Sequence, residues 1–185
     1  MKRILVLLSC LLILSGCGTE NSTDRAMALR QKLLSCSGCS FDATITADYS
    51  DVVYTFAMQC QVKENGDVSF TVTQPDSISG ITGIVTSEEG QLTFDSTVLS
   101  FSKLADGQIT PVIAPWVFIH TLRSGYIRSC ADTQDGVMLV IDDSYEKDPL
   151  QLDIWLNGQD IPVNAEILWQ GRRIVSLKIE NFTVV

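Results

Sequence analysis

From Phe41 onward, apolar residues recur at every second position of the chain. Odd-numbered residues are apolar in segment 41–49, and even-numbered residues are apolar in segment 52–62. A period of two is typical of β-strands with one buried side and one solvent-facing side. A turn near Tyr49-Ser50-Asp51 would join the two segments into one long hairpin, so the chain is constrained to an antiparallel β structure.

The same pattern continues at short intervals toward the C-terminus. Pro75 ends the strand at 68–73, because proline cannot donate a hydrogen bond to a neighbouring strand. The dipeptides Asn157-Gly158 and Gln170-Gly171 are turn signals between the last strands. The other predicted strands cover residues 78–86, 91–95, 97–102, 137–141, 150–156, 161–169 and 174–182. We therefore predict an α+β fold of about ten strands, mainly antiparallel β.

Two segments have helical patterns. Residues 26–34 (AMALRQKLL) are rich in helix formers and follow several good N-cap residues, which predicts an N-terminal helix. Residues 111–125 begin with Pro111 and end with Gly125, as helices often do. The first turn of this helix could instead be marked by Pro115, which would make the helix shorter. Because the second helix is apolar over much of its circumference, we expect it to lie against the concave side of a curved sheet.

The first seventeen residues have the organisation of a secretory signal peptide. A basic start is followed by an apolar stretch that is shorter than the roughly 20 residues a bilayer core requires. The ending Leu14-Ser15-Gly16-Cys17 resembles the lipobox of bacterial lipoproteins, in which the Cys thiol receives a diacylglycerol before cleavage. We therefore predict a signal peptide at 1–16, a lipidated tether at 17–24 and a single domain at 25–185. The alternative is an ordinary secretory leader that happens to end in Cys.

The charge of the mature chain restricts its partners. Removal of residues 1–16 leaves 169 residues, enough for one domain with a sizeable core. This leader contains Lys2 and Arg3 but no acidic residue, so 11 basic and 22 acidic side chains remain, a formal charge of −11. Such a surface repels nucleic acid and anionic headgroups. We expect no nucleic-acid partner, no cofactor besides the diacylglycerol on Cys17, and attachment to the extracytoplasmic face of the cell membrane.

Four cysteines of the mature domain are disulfide candidates, since an even number in an exported protein favours bridges. They are Cys36, Cys39, Cys60 and Cys130. A turn near Ser50 would place Cys39 opposite Cys60, and a bridge from Cys60 to Cys130 is the alternative. The spacing Cys36-Ser-Gly-Cys39 fits a redox motif but lacks the preceding βαβ unit. A zinc site would need a second close pair of cysteines.

The sequence contains no visible catalytic constellation. His120 is the single histidine, and no Gly-x-Ser-x-Gly elbow precedes it. The acidic segment 142–148 offers oxygen atoms to a cation but lacks the spacing and the central glycine of an EF-hand. We therefore expect no metal site and no enzymatic activity.

Five segments carry a resemblance to known families. Residues 76–83 (DSISGITG), 92–95 (LTFD), 114–116 (APW), 122–127 (LRSGYI) and 165–174 (AEILWQGRRI) resemble uncharacterised lipoproteins from Gram-positive, clostridium-like bacteria. The order of helices and strands is also similar to that of the LolA and LolB lipoprotein carriers. That resemblance implies an incomplete, strongly curved antiparallel barrel with helices on its open side. Proteins similar in fold carry acyl chains or sense envelope stress.

Two functions are compatible with these features. The first is a binding module whose concave side accepts a lipid, an acyl chain or another hydrophobic ligand, and we favour it. Its cavity would be lined by Phe56, Met58, Phe70, Trp116 and Ile119. The second is an envelope interaction or signalling protein that binds a protein partner and fills the same space with its own side chains.

Overall fold

A computed structural model describes residues 21–101, 104, 105 and 108–185. For residues 104, 105 and 108 it describes the backbone alone. The predicted signal peptide and Cys17 lie outside the described residues. The first helix begins at Ser22, within the segment that the sequence predicts as a tether. The Asn21 side chain caps this helix by accepting a hydrogen bond from the Asp24 backbone at 2.9 Å.

The helices and strands follow one another in this order: α1 (Ser22–Ser35), β1 (Gly38–Asp48), β2 (Val53–Lys63), β3 (Val68–Gln74), β4 (Thr82–Val85), β5 (Gly90–Phe94), β6 (Thr97–Phe101), β7 (Leu104–Ala105), β8 (Gln108–Ile109), α2 (Ala114–Ser124), β9 (Tyr126–Thr133), β10 (Gly136–Asp142), β11 (Leu150–Asn157), β12 (Pro162–Trp169) and β13 (Arg172–Val184). Short 3-10 helices cover Asp76–Ile78 and Pro111–Ile113. The strong alternation of apolar residues thus produces the strands it predicts.

Eleven of the strands form one antiparallel sheet in the order β6-β5-β4-β3-β2-β1-β13-β12-β11-β10-β9. The sheet is curved and open, with β6 and β9 at its two edges. The predicted fold class, a mainly antiparallel incomplete barrel with an N-terminal helix and a second helix, is confirmed. The described residues include no helix that is long and apolar enough to cross a membrane.

Helix α2 packs on the concave side of the sheet centre. Phe118 and Ile119 have no exposed surface. The Phe118 ring meets that of Phe41 on β1 edge to face, with centroids 5.6 Å apart, and Phe182 on β13 stacks on Phe41 at 5.8 Å. This part of the concave side is therefore filled with side chains. Pro115 lies in the first turn of α2, as the shorter of the two predicted helices requires.

Helix α1 is held against the sheet and α2 by two arginines. Arg25 forms a 2.6 Å ion pair with Asp160 in the turn between β11 and β12. Arg30 donates a 2.7 Å hydrogen bond to the Leu122 carbonyl, in the last turn of α2. A cation there also interacts favourably with the helix dipole. Burial lowers the pKa of Arg30, although its guanidinium remains charged at neutral pH.

Candidate functional site

The sheet extends on one side beyond the part that α2 covers. Phe70 on β3 faces the concave core and pairs with Gly83 on β4, which pairs with Leu92 on β5. Leu92 in turn pairs with Leu99 on β6. Because residues directly opposite each other on neighbouring strands share a face, Leu92 and Leu99 lie on the concave side.

Four side chains on the concave side of β5 and β6 form a surface that we call the apolar shelf: Leu92, Phe94, Leu99 and Phe101. Phe94 is 54% exposed and Leu99 is 59% exposed, whereas Leu92 and Phe101 are partly buried against the core. The concave residues of the central strands are buried. The apolar shelf therefore lies at a boundary between packed core and solvent.

Two glycines let aromatic rings lie close to the sheet backbone at this end. A Cβ atom on Gly90 would lie 2.3 Å from the Phe101 ring, and one on Gly83 would lie 2.5 Å from the Phe70 ring. Both distances are far inside van der Waals contact. The Phe70 and Phe101 rings occupy the space that side chains at positions 83 and 90 would take. Phe101 therefore lies over the β5–β6 pair, and the Phe94 and Leu99 side chains remain exposed.

The five predicted cavity residues lie elsewhere. Phe56, Met58, Phe70 and Ile119 are buried on the concave side of the sheet or on α2. Trp116 is partly buried, and its ring stacks on that of His120 with centroids 4.6 Å apart. All five belong to the hydrophobic core or pack against it, and their role as the lining of a ligand cavity stays a prediction.

Three depressions among the described residues lie away from the apolar shelf, and one of them, of about 520 Å³, lies over β1, β12 and β13 with Trp155 of β11 at its side. A second, of about 330 Å³, is on the convex side of β2 to β5, and its lining is mostly polar: Gln59, Gln61, Ser69, Phe70, Thr71, Thr82, Gly83, Ile84, Gln91 and Thr93. Another, of about 240 Å³, lies between α1 and the end of β13, where Leu29 and Phe182 meet Lys32. None of the three includes the Phe94 or Leu99 side chain.

All four cysteines of the domain are free thiols, so the structure contains none of the predicted disulfides. Cys39 pairs with Val62 and Cys60 pairs with Phe41, so the two cysteines are diagonal rather than opposite. Diagonal neighbours lie about 7–8 Å apart, whereas the Cα atoms of a disulfide are usually about 4.4–6.8 Å apart. Five strands separate β2, which carries Cys60, from β9, which carries Cys130.

Alkylation of the folded protein should therefore discriminate among these thiols. Burial raises the pKa of Cys39 to about 12, and burial with the nearby Asp42 carboxylate raises the pKa of Cys60 further. The thiolate is the reactive form, so at pH 8 we expect Cys39 to react roughly 10³-fold more slowly than an exposed cysteine. The Cys39 rate should rise about tenfold per pH unit up to the raised pKa.

Mass spectrometry after timed iodoacetamide labelling measures these rates, with the partly exposed Cys36 as internal reference. The same sample unfolded in urea without reductant should label all four thiols. Labelling of native Cys39 at the unfolded rate, or fewer than four reactive thiols in urea, would contradict this description.

The groups considered for catalysis or metal binding have structural contacts. The Ser124 hydroxyl lies 3.4 Å from the His120 ring and donates a 2.8 Å hydrogen bond to the His120 carbonyl one turn earlier. Asp143, in the acidic segment, accepts a 2.9 Å hydrogen bond from the Leu150 backbone. Across the described part of the chain, no group of three or more His, Cys, Asp or Glu side chains is arranged to hold a metal ion.

The chain is similar to several solved structures over most of its length. An uncharacterised conserved protein from Thermus thermophilus has 12% identity and a TM-score of 0.48, covering 89% of this chain and 88% of that one. A LolA superfamily protein from Nitrosomonas europaea has 11% identity and a TM-score of 0.44, with 89% and 93% coverage. The Mycobacterium tuberculosis lipoprotein LppX has 10% identity and a TM-score of 0.41, with 88% and 96% coverage. No protein-family model and no curated protein matches the sequence.

Proposed function

We propose that the protein is a lipid-anchored, extracytoplasmic binding module that takes an acyl chain or another hydrophobic group on the apolar shelf and has no enzymatic activity. The observation that supports this proposal is the exposure of Phe94 and Leu99 beside the buried concave core. Apolar side chains that lie together and open to water are typical of binding surfaces.

The apolar shelf offers free apolar surface that a ligand would cover. Complete burial of a Leu or Phe side chain contributes about 1.5–3 kcal/mol. More than half of the surface of Phe94 and of Leu99 is exposed to solvent. Covering either side chain with a ligand should therefore contribute about 1 kcal/mol. Leu92 and Phe101 add smaller areas and connect this surface to the core.

The anchor in this proposal is the diacylglycerol on Cys17. It is supported by Leu14-Ser15-Gly16-Cys17 after a short apolar stretch, and two acyl chains suffice for stable attachment. The mature charge of −11 opposes direct binding of the protein surface to anionic headgroups. We assign the domain to the extracytoplasmic face of the cell membrane on this basis.

The predicted cavity beneath α2 has a smaller part in this proposal. Phe56, Met58, Phe70 and Ile119 are buried, so a ligand could contact them only after a movement that opens the core around them. Trp116 is the partly exposed member of the set. The apolar shelf needs no such movement, which makes it the better first contact for a ligand.

An envelope interaction protein is the second candidate function. It is supported by the packing of Phe41, Phe118 and Phe182, which fills the concave side beneath α2. In that case the apolar shelf would contact side chains of a protein partner instead of a lipid.

Titration with a fluorescent fatty acid tests the proposed function. We expect saturable binding by the wild type, competed by unlabelled fatty acid. The double variant Phe94→Ser/Leu99→Ser should bind roughly 30-fold more weakly, because about 2 kcal/mol of apolar contact is lost.

Val98→Ser is the matched control, because Val98 is also 59% exposed on β6 but lies on the convex side. Its affinity for the probe should stay within about twofold of the wild type. Absence of saturable binding by the wild type would reject the lipid-binding function in favour of the interaction protein. Equal weakening by Val98→Ser would show that the probe does not select the concave side.

A further inference from the structure

The depression of about 520 Å³ lies on the side of the sheet that faces away from α2. It extends over the central strands β1, β12 and β13, with Trp155 of β11 at its side. Its size is within the range of ligand sites, about 300–1,000 Å³. We call it the Trp155 depression, and its polar lining includes Thr44, Asn164, Glu166, Arg173, Ser176 and Lys178.

Trp155 is a large apolar side chain that lies outside the core. The buried residues of β11 that alternate with it are Leu152, Ile154 and Leu156. Successive side chains of a strand point to opposite faces, so Trp155 is on the convex side, where it is partly exposed. Tryptophan in such a position is typical of binding surfaces, because its ring offers a large apolar area together with one N–H donor.

Trp155 begins a straight row of side chains across four strands. It pairs with Asn164 on β12, which pairs with Lys178 on β13, which pairs in turn with Thr44 on β1. Neighbouring strands are about 4.8 Å apart, so the row is about 14 Å long. The strand spacing is close to the length of one sugar ring in an extended glycan. Successive rings of such a chain would therefore lie over successive strands.

The polar side chains at this row are suited to hydroxyl groups. The Asn164 amide and the Thr44 and Ser176 hydroxyls can each donate and accept hydrogen bonds. Among the described residues, none of these three side chains has a hydrogen-bond partner. A sugar hydroxyl is likewise both donor and acceptor, so it can satisfy any of them.

The charged groups at the Trp155 depression favour a neutral ligand. Arg173 forms a 2.7 Å ion pair with Glu166, and Lys178 forms a 3.0 Å ion pair with Glu180. The other charged side chains around it are Asp42, Asp48, Asp153 and Arg172, of which Arg172 lies 3.7 Å from Asp48. Carboxylates therefore outnumber cations here, and the mature charge of −11 also repels polyanions.

Other classes of ligand fit this lining less well. An acyl chain would remove the Asn164 amide and two hydroxyls from water without replacing their hydrogen bonds, which is unfavourable. A peptide could not be added as a strand, because β1, β12 and β13 are paired on both sides. A sugar ring instead offers a face of C–H groups to the indole ring and hydroxyl groups to the polar side chains.

We propose that the Trp155 depression binds a neutral, extended oligosaccharide, with one pyranose ring stacked on Trp155 and the following rings hydrogen-bonded to Asn164, Thr44 and Ser176. The site is on the opposite side of the sheet from the apolar shelf. It does not depend on the function proposed for that surface.

Isothermal titration calorimetry of the mature domain with two neutral β-1,4-linked tetrasaccharides, cellotetraose and tetra-N-acetylchitotetraose, tests the proposal. We expect saturable binding of at least one of them, with a change in tryptophan emission over the same concentrations because a ring covers the indole. The affinity should stay within about twofold as salt is raised, since the ligand carries no charge. Tetragalacturonic acid, which is anionic, should bind roughly tenfold more weakly or less.

Trp155→Ala is the decisive variant, and Trp169→Ala is its matched control. Trp169 is 36% exposed, but it shares the concave face of β12 with Ala165 and Ile167. We expect Trp155→Ala to weaken binding roughly tenfold or more and to abolish the emission change, whereas Trp169→Ala should stay within about twofold of the wild type. Asn164→Ala should weaken binding about three- to tenfold, because its exposed amide would lose hydrogen bonds to the sugar.

Equal affinity of Trp155→Ala and wild type, tighter binding of the anionic tetrasaccharide, or no saturable binding of either neutral sugar would overturn the proposal. The variant Phe94→Ser/Leu99→Ser should bind the sugar as the wild type does, and Trp155→Ala should keep fatty-acid binding, which separates this site from the apolar shelf. If Trp155→Ala does not fold, Asn164→Ala decides, and an unchanged affinity of that variant would overturn the proposal.

Discussion

Replacing Phe118 by alanine is expected to lower the free energy of unfolding by about 3–5 kcal/mol. Phe118 has no exposed surface and lies in a cluster with Phe41 and Phe182, at centroid distances of 5.6 and 6.5 Å. The substitution would leave a cavity between α2 and the sheet that the surrounding strands can only partly close. A loss of that size is a large fraction of the stability of an ordinary domain.

Urea denaturation followed by tryptophan fluorescence and circular dichroism measures this loss. Tyr145→Ala is the control, because Tyr145 is 89% exposed and its removal should cost less than about 0.5 kcal/mol. Combining Phe118→Ala with Phe41→Ala should reveal a coupling of about 0.5–1.5 kcal/mol from the edge-to-face contact. A loss below about 1 kcal/mol for Phe118→Ala would mean that α2 is not firmly packed on the sheet.

Cys17→Ala is expected to release the protein from the membrane fraction or to leave it with an uncleaved leader. The variant lacks the thiol that accepts the diacylglycerol, and each buried methylene of an acyl chain contributes about 0.8 kcal/mol to membrane binding. Loss of two chains therefore changes the partition between membrane and water by many orders of magnitude. Fractionation of cells, with mass spectrometry of the N-terminal peptide, measures both attachment and processing.

Cys10→Ala is the matched control, since Cys10 lies within the apolar part of the leader. This variant should be processed and attached as the wild type is. Normal processing and unchanged membrane attachment of Cys17→Ala would reject lipidation at this position.

The sequence predicts the strands best where one face of the strand is buried and the other face is exposed to solvent. β1 and β2 illustrate this, because their alternation sets both the hairpin and the face that meets α2. β9 was missed, because this edge strand is exposed or partly exposed at every position and has no apolar period to detect. The predicted strand at 78–86 is shortened to Thr82–Val85, because Gly80 adopts a φ of 86° and its N–H bonds back to the Val72 carbonyl.

The candidate site was less predictable than the fold. Leu92, Phe94, Leu99 and Phe101 have the same alternation as residues in the packed core. These side chains are exposed because the sheet continues beyond the part that α2 covers. No local sequence pattern encodes how far the sheet extends beyond the helix. The diagonal placement of Cys39 and Cys60 likewise depends on a two-residue difference in register, which the turn sequence alone did not determine.

The start of α1 limits where a lipidated domain can stand relative to its membrane. Three residues separate Cys17 from Asn21, and the four residue-to-residue steps between them span about 14 Å at most when fully extended. Arg25 in the first turns of α1 lies between Asp160 and Asp132. With the lipid on Cys17, the turn that carries Asp160 and the end of β9 that carries Asp132 would be the parts of the sheet held nearest the headgroups.

The β5–β6 turn lies at the opposite end of the strands from Asp160 and Asp132. The strand registers place one set of residues at the end of the sheet near these aspartates: Gly38, Lys63, Val68, Val85, Gly90 and Phe101. A lipidated molecule would therefore be tethered at one corner, with the tip of its β5–β6 hairpin at the far corner. So short a tether would keep the N-terminal end of α1 within about 14 Å of the lipidated residue. Ligands and partners would reach β6 from the side of the envelope space, facing away from the anchoring bilayer.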